Sequence, residues 1–171
     1  PVGTSNSGFI ITGNYIGGDA ANGSGVYTMT GTANYTFRGM DINVGTGSAT
    51  SIQNNTLTNL NITGGFSGNS FYGIDVNLGN VNIGTVTGNL FGSTTTNGAI
   101  TFTSTVTNGS LIGIRSGSSL ASTINFNNNT ISGITLIGSA TTVAVGFNGI
   151  AASGGSNITI NNNTISNILL P

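Results

Sequence analysis

Histidine, cysteine, lysine, glutamate and tryptophan are all missing from this chain, and two arginines with three aspartates make up its charged set. Without His or Cys, Ser-His-Asp and Cys-His nucleophilic systems cannot be assembled within it, nor can zinc sites of the usual kind. The lack of Cys is uninformative about redox compartment, because a repetitive stacked fold needs no disulfides even outside the cell. Charged residues amount to 3% of the sequence, against about 25% in ordinary globular domains. A net charge of −1 with no basic patch argues against nucleic acid, which requires clustered Lys or Arg. No apolar run approaches the roughly 20 residues of a membrane span. So little charge leaves nothing to keep copies apart, and self-association is expected. The first residue is Pro1 rather than Met, which suggests a processed or excised piece.

What fills the sequence instead is Gly, Asn, Thr and Ser between short apolar alternations, and these recur. Ile158-Thr159-Ile160-Asn161-Asn162-Asn163-Thr164-Ile165-Ser166-Asn167-Ile168 has an earlier copy in Ile124-Asn125-Phe126-Asn127-Asn128-Asn129-Thr130-Ile131-Ser132-Gly133-Ile134. Looser copies begin at Ile52, Ile10 and Val86. The landmark asparagines Asn14, Asn55, Asn89, Asn129 and Asn163 are 41, 34, 40 and 34 residues apart. A second motif, built on Gly39, Gly73, Gly113 and Gly149, keeps phase with them at 34, 40 and 36. It reads as a turn glycine followed by a strand. Two landmarks in phase indicate a repeat architecture.

Helical repeats are ruled out by content, since no 3.6-residue period is sustained and helix-poor residues dominate. Alternations such as Ile124/Phe126, Val81/Ile83 and Ile158/Ile160, cut by Gly or Asn clusters, predict short strands. Motifs recurring once per turn favour a parallel β-helix over a sandwich, because like then stacks on like. We therefore expect an all-β, right-handed parallel β-helix (a solenoid) over residues 1–171, with about four full coils of 34–41 residues plus a partial one. Inward Ile, Leu and Phe stacks form the core, and the landmark asparagines form a ladder at a bend, each amide bonding neighbours above and below. Long coils alternate with short ones. Residues 19–36 and 93–108 supply the extra length, widening one side through strand-like runs at Val26–Met29 and Ala99–Phe102. Pro1 and Pro171 sit against open strand edges with no obvious cap, so a slice of a longer repetitive chain or fibre is expected.

The Ile-x-Ile-x-Asn-Asn-Thr-Ile-Ser-Asn-Ile pattern resembles the right-handed β-helix repeats of the pectate-lyase-like superfamily. More narrowly, it is similar to large secreted surface proteins of Bacteroidetes-type bacteria. The resemblance implies an extracellular or cell-surface location and a structural or adhesive role. It leaves open a carbohydrate-binding or polysaccharide-degrading alternative whose active residues lie elsewhere, since the fold alone does not fix activity.

Enzymes with this fold are implied to use Asp clusters. Asp41 and Asp75 occupy equivalent repeat positions, followed by Arg115 and Ala151. Stacking would set the two carboxylates roughly 5 Å apart, near the separation of a retaining glycosidase pair. Their apolar-Asp-apolar setting instead points both to solvent, as a surface ladder trimmed by Arg115. No catalytic residue, cofactor or metal is therefore assigned, and Asp41 and Asp75 stay weak cation or carbohydrate candidates. Tyr27 and Tyr35, in the first long-coil insertion, mark that side as the better ligand groove. Thr28/Thr30, Thr85/Thr87 and Thr101/Thr103 do not recur on every coil at one phase, which argues against an ice-ordering face. The expected partners are neighbouring copies stacked end to end or laterally, and surface glycans, without nucleic acid or membrane insertion.

Overall fold

In the computed structural model, which describes residues 6–106, 108–119, 121–138 and 145–170, the chain is all-β. Pro1 and Pro171, expected to sit against open edges, lie outside the described residues. Among those described, the one helical element is a 3-10 turn at Ala21–Gly23. No helix there is long and apolar enough to cross a membrane.

The strands come in repeating sets. A first pass holds β1 (Ile10–Thr12), β2 (Tyr15–Ile16), β3 (Tyr27–Thr30) and β4 (Phe37–Asn43). The second holds β5 (Thr50–Gln53), β6 (Thr56–Leu57), β7 (Leu60–Gly64) and β8 (Gly68–Leu78). The third holds β9 (Val81–Ile83), β10 (Leu90–Gly92), β11 (Ile100–Ser104) and β12 (Gly109–Gly117). Then β13 (Thr123–Asn127) leads to one long strand, β14 (Thr130–Gly138), and to β15 (Gly146–Gly154); β16 (Asn157–Asn161) and β17 (Thr164–Leu169) follow.

Three sheets collect these strands: β1-β5-β9-β13-β16, then β2-β6-β10-β14-β11-β7-β3 with β17 also on β14, then β15-β12-β8-β4. All pairings among the described residues are parallel. Register places like on like. Ile11, Ile52, Ile83, Phe126 and Ile160 form one inward row. Ile16, Leu57, Phe91, Ile131 and Ile165 form a second, and Met40, Ile74, Ile114 and Ile150 a third. These rows merge in one core between the sheets. β-Branched side chains suit it because their stiff χ1 costs little on a pleated, half-buried surface. Each large apolar side chain fully buried there contributes about 1.5–3 kcal/mol.

The Asn-rich strings divide into two jobs. Gly13, Asn54, Asn128 and Asn162 take φ of 70, 53, 57 and 54° and turn the chain. Asn tolerates that left-handed region better than most residues because its side chain bonds locally. The residue after each of these is a landmark asparagine.

Two expectations are corrected. Gly39, Gly73, Gly113 and Gly149 are not turn residues; they lie inside β4, β8, β12 and β15 and have no positive φ. Glycine is required there by close approach. A Cβ on Gly39 would meet the Gly73 carbonyl oxygen at 2.6 Å, and one on Gly113 would meet the Gly149 oxygen at 2.6 Å and Ile131 Cδ1 at 2.7 Å. Second, the strand-like runs in the long coils are not insertions. Tyr27, Leu60, Ile100, Ile134 and Ile168 share one row, so every pass has this strand position. The added length sits just ahead of it, in residues 17–26 and 93–99, where shorter passes cross with a left-handed Asn59, Gly133 or Asn167. The threonine pairs, as expected, do not recur on every pass: Thr28/Thr30 and Thr101/Thr103 fall in the adjacent rows Thr28-Asn61-Thr101-Thr135 and Thr30-Thr63-Thr103-Ile137, which Asn61 and Ile137 interrupt.

Candidate functional site

Four of the five charged residues gather on the outer face of the third sheet. Register sets Arg38 beside Tyr72, and Asp41, Asp75, Arg115 and Ala151 in one row. The solvent-facing placement expected for Asp75 is overturned, since its side chain is 0% exposed. Arg38 Nε donates to one carboxylate oxygen at 2.8 Å and Arg115 Nε to the other at 2.6 Å. Both guanidiniums also lie against the Tyr72 ring, their Cζ atoms 5.2 and 4.7 Å from its centre. Such contacts add about 0.5–2 kcal/mol each. Two long side chains folded over one ring keep water from the carboxylate, and two cations offset the cost of burying it.

The network continues outward. Arg115 Nη2 donates to Asn77 Oδ1 at 2.8 Å, and Asn77 and Asn43 donate to Asp41 Oδ1 at 2.6 and 2.9 Å. The hydrogen bond to Asp75 raises the Arg38 pKa, against the opposing effect of burial. The expected trimming by Arg115 omitted Arg38, whose partner stands 37 residues away.

This arrangement is poor in chemistry. Both Asp75 oxygens accept from guanidinium N–H groups, and nothing of the carboxylate is open to an incoming molecule. Asp41, the other half of the pair, is exposed and carries two amide donors on one oxygen. Among the described residues no group of three or more His, Cys, Asp or Glu side chains could hold a metal ion.

The landmark asparagines form a second constellation, at the bend between the first and second sheets. Nδ2 of Asn14 donates to Oδ1 of Asn55, Asn55 to Asn89, Asn89 to Asn129 and Asn129 to Asn163, at 2.8, 2.9, 2.8 and 3.0 Å. Each of those oxygens also accepts the backbone N–H of the preceding landmark asparagine. The second amide hydrogen turns to a carbonyl one pass back, as from Asn89 to Ile52 and from Asn129 to Ile83. Asn55, Asn89 and Asn129 are buried, and both faces of their amides are satisfied. Every amide-to-amide bond points the same way along the stack.

The two tyrosines part company. Tyr35 packs its ring edge-on to Phe66, with centroids 4.9 Å apart, and donates its hydroxyl to Thr63 O at 2.9 Å. Burial pushes its phenol above the ordinary value, and the Tyr27 phenol adds to the shift. It is a packing residue rather than a groove residue. Tyr27 is 42% exposed and borders a 220 Å³ hollow with Ile16, Phe37 and Leu60. A larger hollow, 480 Å³, opens at the opposite end of the sheets, beside β15 and β16. The strand-like run expected to carry Tyr27 as an insertion is the regular strand β3.

No family model matches this chain, and no curated protein or solved structure was found to match it.

Proposed function

We propose that the chain is a stretch of right-handed parallel β-helix, about four coils and part of a fifth, with a structural or adhesive role in an extracellular or cell-surface filament or stalk. The handedness follows from the near-universal right-handed crossover between parallel strands. One observation carries the role: three of the five charged groups are spent on each other, two guanidiniums closing over one buried carboxylate. The rest of the exterior is mainly amide, hydroxyl and glycine with scattered apolar residues such as Ile10 and Val86, which suits a spacer or a stacked fibre better than a reaction centre. The similarity in pattern to secreted bacterial surface proteins supports the location.

A second reading, carbohydrate binding, is favoured by one feature. Tyr15 and Tyr27 are 55% and 42% exposed on the first pass, and Tyr27 borders the 220 Å³ hollow. Aromatic rings presented this way stack on sugars.

Negative-stain electron microscopy of the native material, with intact mass measured alongside, separates the two. Filaments of uniform width are expected for the structural role. Discrete particles of ordinary enzyme size, together with retention on a glycan array, would overturn it in favour of the second reading.

A further inference from the structure

We propose that Asn97 is a self-modifying site, which loses its side-chain amide to water through a cyclic imide with Gly98 and leaves a negative charge on the edge of the stack. The chain has four Asn-Gly pairs, at 22–23, 97–98, 108–109 and 148–149. A following glycine favours the reaction because no Cβ shields its backbone nitrogen from the asparagine side chain. Three of these glycines are buried inside an element: Gly23 in the 3-10 turn, Gly109 in β12 and Gly149 in β15. Gly98 instead lies outside every strand, in the joint between β10 and β11, and the stretch Thr94–Asn97 ahead of it is exposed throughout. Either side of this tip the joint is pinned. Ser93 Oγ accepts from the backbone N–H groups of Thr95 and Thr96 at 3.1 and 3.0 Å, and Thr101 Oγ1 donates to Gly98 O at 3.3 Å. The turn is held in place while its Asn-Gly tip stays open to water.

The Gly98 nitrogen gives up its proton and attacks Asn97 Cγ. The Cγ–Nδ2 bond breaks, ammonia leaves carrying a proton, and the imide ring closes. Water then opens the ring at one of its two carbonyls. One opening leaves aspartate at position 97, and the other leaves isoaspartate, with the main chain routed through Cβ. Nothing is oxidised or reduced: one amide and one water become one carboxylate and one ammonium ion. The carbon that isoaspartate adds to the main chain falls between β10 and β11, outside the paired rows. The same chemistry spares the ladder. Asn55, Asn89 and Asn129 are buried with their amides bonded, and each is followed by a residue with a side chain, Thr56, Leu90 or Thr130. Each event makes the net charge of −1 one unit more negative. In a chain so nearly neutral, that added repulsion weakens self-association. The site follows from burial and bonding alone and does not depend on a filament role.

The test ages the full chain in mildly alkaline buffer at body temperature. Peptide mapping by mass spectrometry follows the gain of about 1 Da that each event brings, and anion exchange follows the new charge. Position 97 should react at least about tenfold faster than the other three Asn-Gly pairs, and a more acidic peak should grow in step with it. In urea the four rates should draw together, because the burial that separates them is gone. Asn97→Gln, whose longer side chain closes a ring less readily, should remove the early acidic peak, with circular dichroism checking that the fold is kept. Should that variant misfold, the ranking in the parent chain decides alone. A lead for position 22, 108 or 148 in the folded chain, or an Asn97 no faster than Asn129, would overturn the proposal. So would the same ranking in urea, or an early acidic peak that survives in a folded Asn97→Gln.

Discussion

Truncating one asparagine of the ladder tests whether that ladder is a main source of stability. Asn129 is fully buried. Its Oδ1 accepts from Asn89 N–H at 3.1 Å and Asn89 Nδ2 at 2.8 Å, while its Nδ2 donates to Ile83 O at 3.1 Å and Asn163 Oδ1 at 3.0 Å. In Asn129→Ala, Asn89 Nδ2 still has Ile52 O, and Asn163 Oδ1 still has the residue 129 N–H. Asn89 N–H is left with nothing. That orphaned buried group costs about 1–3 kcal/mol, a sizeable share of an ordinary domain's 5–15 kcal/mol. Asn14→Ala is the control, because Asn14 is exposed and its oxygen accepts no hydrogen bond among the described residues. It should cost less than about 1 kcal/mol. Urea denaturation followed by circular dichroism reads both variants against the parent. Asn129→Asp sharpens the test: its second oxygen would face Ile83 O and Asn163 Oδ1, two acceptors. It should be worse than alanine at neutral pH and recover as the pH falls and protonation restores a donor. Equal losses for Asn129→Ala and Asn14→Ala would refute the reasoning.

Asp75→Asn should destabilise by about 2–4 kcal/mol, below the 3–5 of a fully buried pair because both arginines reach solvent; a thermal melt reads this, and no loss would mean the guanidiniums need no counter-charge. Gly113→Ala sets a methyl against Gly149 O and Ile131, both under 3 Å away, and should cost about 1–3 kcal/mol or more, whereas Gly68→Ala, where nothing lies within 4 Å, should cost only backbone strain; the two melts should be clearly ranked. Tyr35 predicts an alkaline limit. Its folded pKa is raised above the ordinary 10.0, so its stabilisation is complete below pH 10 and lost as the pH rises through the folded value. Tyr35→Phe should flatten stability against pH in that range, and an unchanged slope would exclude Tyr35 as its source.

The sequence was most legible where one residue type repeats in phase. Asn55, Asn129 and Asn163 stand in matching strings, and their distances reveal the period before any strand is placed. The glycines were found by the same phase but misread, because an isolated glycine between apolar residues signals a turn as readily as a close approach. Only the Leu57, Phe91, Ile131 and Ile165 row shows which applies. The Arg38–Asp75 pair was hidden for another reason. Its members sit on neighbouring passes at different positions, Arg38 opposite Tyr72 and Asp75 opposite Asp41. A diagonal contact of that kind follows only after register is known. The threonine rows were obscured by unequal lengths ahead of β3 and β11, which shift the count without shifting the strand.

That last joint has a consequence for how the chain can change over evolution. In strands of period two, one residue gained or lost turns every later side chain to the opposite face. Here the joint ahead of the Tyr27-Leu60-Ile100-Ile134 row holds anything from the single Gly133 to the ten residues of 17–26, and the rows on either side stay aligned. Insertions and deletions are therefore absorbed at one edge of the stack. New recognition loops can be grafted there, with the asparagine ladder and the glycine column undisturbed.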